Sequence, residues 1–335
     1  MLYRNFAKYT LLQIFISQNP IIIISKKICP NGIFNKRIYM VKIKNIGIFY
    51  FTGTGNTKAV GDIYVEKFRE KNIKVEMKAI ENYLKLNKKL DLENYDILGL
   101  GYPVHAFRAP SIFFQFLNHL PISAEKNVFL FKTMGDPLLF GGSTYKVRKV
   151  LEKKGFNVFH EDFLVMPANL LLDYDINLKK QLYDTARRKI SLYVNEILNL
   201  EKKLQPNSLF LRIISSLFSS LETLGANYFG KFLKRTEDCN LCRKCVKLCP
   251  TENISVTNDK LSFGETCIFC LRCVYNCPEM ALRNKYFDFL ILKKGYDIRE
   301  VIEMRNSPSE YINSNTKGYF KHFYKYLINE LYGYK

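Results

Sequence analysis

The sequence predicts an α/β chain, a doubly wound parallel sheet followed by a small α+β domain rich in cysteine. Three observations predict it. Strand-like apolar runs alternate with amphipathic helices from about residue 43 to 200, and a loop of small residues, "TGTGNT", follows the first of those strands. Eight of the nine cysteines crowd into residues 239–277 as two copies of one pattern.

The first strand is "IGIFYF", which breaks into Thr52, Gly53, Thr54, Gly55, Asn56 and Thr57 and then turns helical, with Val60, Ile63, Tyr64 and Phe68 spaced along one buried face. Strand, small-residue loop and helix start together make an anion site. Glycines let backbone N–H groups approach a phosphate, threonine hydroxyls donate, and the helix dipole favours negative charge. The loop lacks the lysine of a Walker A motif, and Lys58 stands where a dinucleotide fingerprint needs its last glycine, so ATP and NAD(P) are disfavoured.

"IKVEMKAI" reads as the second strand. "YDILGLGYPVHAFRAPS", residues 95–111, is a third strand ending in a Gly/Pro turn before a helix, and "NVFLFKTMGDP", residues 127–137, a fourth ending in a small-residue loop. "GSTYKVRKVLEKKG" is a helix closed by Gly155, "FNVFHEDFLV" the fifth strand, and Ile176 to Leu200 the last helix. In such a sheet ligands sit beyond the carboxyl ends of the strands, where the strand order reverses.

The cysteines form an internal repeat. Subtracting 28 from Cys267, Cys270, Cys273 and Cys277 gives Cys239, Cys242, Cys245 and Cys249, and Pro278 maps onto Pro250. Each half reads C-x2-C-x2-C-x3-C-P, the spacing that holds a cubane iron–sulfur cluster. Three cysteines two residues apart wrap one cluster, and the fourth completes the cluster of the other half. One [4Fe-4S] cluster is therefore expected on Cys239, Cys242, Cys245 and Cys277, and a second on Cys249, Cys267, Cys270 and Cys273. Zinc takes its ligands in two pairs and fits this spacing poorly, and disulfides need an oxidising compartment for which no secretory signal argues. "ISVTNDKLSF", turning at Asn258-Asp259, joins the halves.

Residues 236–284 resemble the bacterial two-cluster ferredoxins. T-G-T-G-N-T after an apolar strand resembles the phosphate loop of the flavodoxins, which bind FMN. The order of parts is similar to the fused flavodoxin–ferredoxin family of anaerobic bacteria and archaea over residues 43–284, where "APSIFFQFL", "VMPANLL" and "CPTENISV" match similar phrases. The resemblance implies a flavodoxin-like sheet, FMN, two [4Fe-4S] clusters and electron transfer. It also implies that Tyr102, Pro103, His105, Phe107, Thr133 and Gly135 lie beside the flavin ring. Packing is an equal reading for Tyr102 and Phe107. His105, His119, His160 and His322 each read first as structural or surface residues, and only His105 sits on a loop expected to face the flavin.

The expected domains are an extension at 1–39, the flavodoxin-like domain at 40–204, a linker at 205–235, the ferredoxin domain at 236–284 and a helical tail at 285–335. Residues 1–39 carry six Lys or Arg and no acid, and Met40 is a candidate initiator. Cys29 falls there, outside the ligand pattern. The linker carries an apolar stripe, Phe210, Ile213, Ile214, Leu217, Leu221 and Leu224, opposite serines, which reads as a face docked on a domain rather than on a membrane. "DIREVIEM" and "YFKHFYKYLINELY" suggest helices in the tail.

Formal net charge is +20, with the Lys and Arg residues dispersed and no nucleic-acid motif, so nucleic acid is disfavoured as a partner. No apolar run reaches a membrane span, and the chain reads as cytoplasmic. The expected function is electron carriage between FMN, the clusters and a redox partner protein. Residues 231–284 hold nine Lys or Arg against six Asp or Glu, which suits an acidic docking face on that partner. A flavin-dependent reductase acting on a small substrate, and a ferredoxin with an FMN-free docking domain, are the alternatives.

Overall fold

Parallel strands covered on both faces must be apolar on both faces, and the central runs of this chain are. The computed structural model describes residues 11–13, 22–28, 34–40, 43–86, 90–105, 107–123, 125–138, 144–206, 213, 224–305 and 310–330. The backbone of the N-terminal extension carries an antiparallel sheet of β1 (Leu11–Gln13), β2 (Ile22–Ile28) and β3 (Phe34–Met40).

Five strands follow: β4 (Asn45–Tyr50), β5 (Lys74–Ala79), β6 (Ile97–Pro103), β7 (Asn127–Met134) and β8 (Asn157–Val165). All pair in parallel in the order β5-β4-β6-β7-β8. Counted from β4 this is 2-1-3-4-5, the flavodoxin-like order, with its reversal between β4 and β6. Helices α1 (Asn56–Glu70) and α5 (Ile176–Leu198) cover one face through Ile63, Tyr64, Phe68, Ile190 and Tyr193. Helices α2 (Glu81–Leu86), α3 (Ser111–His119) and α4 (Tyr145–Lys153) cover the other, where Phe113, Phe116, Val147 and Leu151 meet Leu98 and Leu100.

β8 departs from the apolar rule by burying His160, Glu161 and Asp162. His160 lies between carboxylates, with Nε2 2.9 Å from Glu196 and Nδ1 3.0 Å from Asp162. Burial alone would lower its pKa, but Asp162 and Glu196 raise it to about 9, so the charge that the strand buries is compensated. This matches its expected structural role.

The small domain closes on itself. β9 (Leu233–Arg235) pairs antiparallel with β12 (Leu282–Asn284), and between them lie α6 (Lys244–Leu248), the hairpin β10 (Ile254–Thr257) and β11 (Lys260–Phe263), and α7 (Arg272–Tyr275). Asn258 and Asp259 turn the hairpin with φ of 48° and 54°, the left-handed pair that a two-residue turn of type I′ uses.

Residues 224–231 are helical, and Ile213 and Leu224, the described members of the linker stripe, are exposed; Phe210, Ile214, Leu217 and Leu221 lie outside the described residues. The tail forms α8 (Ile298–Glu303) and α9 (Lys321–Ile328). It returns to the sheet, where Phe323, Tyr326 and Leu327 pack on Phe163, Val165 and Leu178, and the Val165 N–H donates to the Tyr326 hydroxyl at 3.0 Å. The β8 edge is thus covered at this end by the tail and, around His160, by Lys203, whose backbone exchanges hydrogen bonds of 2.8 and 2.9 Å with Phe159 and Glu161.

Candidate functional site

The loops that leave β4, β6, β7 and β8 at their carboxyl ends enclose a cavity of about 430 Å³, the size of a small-molecule site. Thr52, Gly53, Thr54, Asn56 and Thr57 line one side. Pro103, His105, Thr133 and Gly135 line it from the next two strands, and Pro167 to Leu172 and Tyr174 from beyond the fourth. Gly55 belongs to the same loop but faces a separate groove; its φ of 105° starts α1, and its N–H donates to Thr52 Oγ1 at 3.1 Å.

Side-chain bonds fix the loop. Thr57 Oγ1 meets Thr133 Oγ1 at 2.8 Å, Asn169 Nδ2 donates to Thr54 Oγ1 at 2.7 Å, and Asn56 Nδ2 donates to the Pro167 carbonyl at 2.9 Å. Tyr296, from the tail, donates to Asn56 Oδ1 at 2.5 Å. None of the described lining residues is Lys or Arg, so an anion here would meet N–H groups, hydroxyls and the helix start.

Two of the ring-side candidates lie elsewhere. Tyr102 precedes Pro103 on β6 and, with the period-two alternation of a strand, points the other way, fully buried with its ring centroid 4.6 Å from that of Phe113. Phe107 sits at φ 68° in the turn where His105 and Arg108 exchange backbone hydrogen bonds of 2.8 and 2.9 Å, and does not line the cavity. His105 does. Burial lowers its pKa to about 4, against a hydrogen bond with the Ile268 backbone, so its ring is neutral at pH 7.

The small domain gathers the eight thiols into two tetrads. Cys245 is acted on electrostatically by Cys277, Cys239 and Cys242, whereas Cys273 is acted on by Cys270, Cys267 and Cys249 and, more weakly, by Cys245. In this grouping the fourth cysteine of each half lies with the first three of the other. The repeat is also written in the backbone. Leu241 and Phe269 (φ 55° and 52°), Arg243 and Leu271 (59° and 57°), and Glu252 and Met280 (55° and 46°) are left-handed pairs, each 28 residues apart. Such non-glycine conformations persist where the surroundings impose them, as around a ligated cluster.

The chemistry of the tetrads fits a cubane. Burial, then neighbouring sulfurs, push Cys267 up to about 12 and Cys273 well above the ordinary thiol range, a crowding that a cationic iron core relieves. Backbone N–H groups of Asn253 and Ala281 donate to Cys249 Sγ at 3.2 Å and to Cys277 Sγ at 3.3 Å, again 28 residues apart. A side chain at Gly230 would put its Cβ 2.2 Å from Cys267 Cβ, so this cradle has no room for one. Among the described residues no three His, Cys, Asp or Glu side chains converge as a single metal ion requires. The tetrads differ in exposure: Cys249 and Cys270 are buried, and Cys242 is exposed.

Sequence reasoning missed the residues that join the parts. Phe269, between two cysteines, and Tyr319, in the tail, both line the cavity. The hydroxyl of Tyr319 and Nε2 of His322, the latter at 3.0 Å, meet Asp136 Oδ2 at the cavity wall. Arg272, next to Cys273, reaches the Thr52 carbonyl and Glu81 Oε1, both at 2.5 Å. An arginine inside a cysteine motif was the one signal available in the sequence.

Residues 231–278 match the family model of the 4Fe-4S dicluster domain. In structure the chain is similar to a flavodoxin from the domain Archaea, at 14% identity over 45% of this chain and 99% of that one, TM-score 0.33. It is also similar to oxidised Flavodoxin 2 from Bacillus cereus (17% identity, 45% and 95% covered, TM-score 0.33) and to the rubredoxin oxygen:oxidoreductase of the anaerobe Desulfovibrio gigas (15% identity, 47% and 38% covered, TM-score 0.31). No curated protein matches the chain in sequence. A 4Fe-4S dicluster domain joined to a flavodoxin-like sheet points to electron transfer.

Proposed function

We propose that the chain is an electron-transfer iron–sulfur flavoprotein whose cavity holds FMN and whose tetrads each hold one [4Fe-4S] cluster. One observation carries this reading: the backbone of the second tetrad abuts the phosphate loop, with the Cys270 carbonyl only 2.4 Å from where a Gly53 Cβ would lie. When bound, FMN takes one or two electrons and each cluster takes one.

The chain's own residues hold, orient and insulate. Thr52, Gly53, Thr54, Asn56 and Thr57 offer hydroxyls and N–H groups to a phosphate, and Pro103, Met134, Ala168 and Leu170 give the apolar wall that a planar ring needs. Neutral His105 adds no charge beside that ring. The Asn253, Phe269 and Ala281 N–H groups aimed at sulfurs stabilise thiolate charge and so tune potential. Cys249, Cys267, Cys270 and Cys273 form the inner tetrad, and Cys239, Cys242, Cys245 and Cys277 the outer, which meets a redox partner at exposed Cys242. Exposed Arg243, Lys244 and Lys247 beside it suit an acidic partner face.

Among the described residues no helix is long and apolar enough to cross a membrane. Asp136 and His322, 3.0 Å apart at the cavity, favour a second reading, a flavin-dependent reductase of a small substrate. Turnover of a small acceptor with no protein partner distinguishes it.

Anaerobic titration with a low-potential one-electron donor tests the relay. Uptake of about four electrons per chain is expected, two into the flavin and one into each cluster, with bleaching of both chromophores. Uptake without flavin bleaching contradicts the reading.

A further inference from the structure

Residues 268–272, threaded among three cysteines of the inner tetrad, touch the cavity domain repeatedly. The Ile268 backbone hydrogen-bonds the His105 ring. The Phe269 ring lines the cavity while its N–H is directed at Cys267 Sγ, 3.4 Å away. The Cys270 carbonyl fills the space beside Gly53, and Arg272 donates to the Thr52 carbonyl. Phe229 braces Phe269 edge-on at 4.5 Å between ring centroids. Phe269 and Leu271 hold left-handed backbone, a conformation that persists only where the surroundings impose it.

Resting on the reading of the cavity as a flavin site, we propose that this loop is a wall of that site with Phe269 as its ring-facing residue, so that filling the inner tetrad and binding flavin reinforce each other. Unligated, the loop must be ordered by the flavin itself, and that ordering weakens binding. Ligated, the wall already stands. The coupling is reciprocal, since whatever tightens flavin binding when the tetrad is filled stabilises the filled tetrad equally. The repeat supplies an internal control, for Leu241 holds the equivalent position in the first half, with φ 55°, and does not line the cavity.

The test is an anaerobic FMN titration of the flavin-free, iron-loaded full chain, read by quenching of flavin fluorescence. Phe269→Ala keeps all eight ligand cysteines and is expected to raise the FMN Kd roughly tenfold or more at unchanged iron content. Phe269→Tyr restores tight binding, Leu241→Ala leaves the Kd unchanged, and removing iron from the unaltered chain with a chelator raises the Kd by a similar factor. An equal Kd in the unaltered chain, Phe269→Ala and the iron-stripped chain overturns the proposal. Absence of quenching by the unaltered chain overturns instead the flavin reading beneath it.

Discussion

Replacing Cys277 with alanine is expected to empty the outer tetrad, Cys239, Cys242 and Cys245 included, and to leave the inner one loaded, so that about four of eight irons remain. Cys277 lies only a few residues from Cys273 in sequence yet sits electrostatically with Cys245, because its half of the repeat hands its fourth cysteine across. Three thiolates cannot close a four-iron cubane tightly, and the Ala281 N–H that donates to Cys277 Sγ loses its acceptor. Iron analysis with low-temperature EPR of the reduced variant reads the outcome. Loss of the signal from Cys249, Cys267, Cys270 and Cys273, with the other retained, contradicts the crossing.

The second large effect is expected at Gly53. A valine there drives its Cβ to 2.4 Å from the Cys270 carbonyl oxygen, and neither side yields easily. Gly53 follows a strand end pinned by the Phe51 N–H to the Gly101 carbonyl at 2.9 Å, and Cys270 is buried between Cys267 and Cys273. Relief requires the two domains to part, breaking the charge-assisted bonds of Arg272 to Thr52 and Glu81. Overpacking and the lost hydrogen bonds together cost about 3 kcal/mol. Gly53→Val should lower the denaturation midpoint accordingly and speed bleaching of the cluster chromophore, whereas Gly225→Ala, with nothing within 4 Å of the added Cβ, should not destabilise. An unchanged midpoint in Gly53→Val removes the case for a docked interface.

Much of the architecture was legible because its causes are local. Buried parallel strands must be apolar, so "IGIFYF" and "NVFLFK" declare themselves, and small residues after them mark the loops at the sheet's carboxyl end. The repeat was legible because ligation fixes spacing. What stayed hidden is made by long-range contact. Arg272 meets Thr52 across 220 residues, and Tyr296 meets Asn56 across 240, distances over which no periodicity carries information. Tyr102 could have been separated from Pro103 by strand alternation alone. The role of Phe269 could not, since in the sequence it is one of two residues between ligands, and only docking aims it at the cavity.

A chain that carries a flavin and two cubanes in contact should purify with all three. FMN, iron and acid-labile sulfide analysis of the anaerobically purified full chain tests this most directly. About one FMN and about eight irons per chain are expected. Zinc in place of iron, about four or fewer irons after reconstitution, or a chain that takes up no FMN would contradict it.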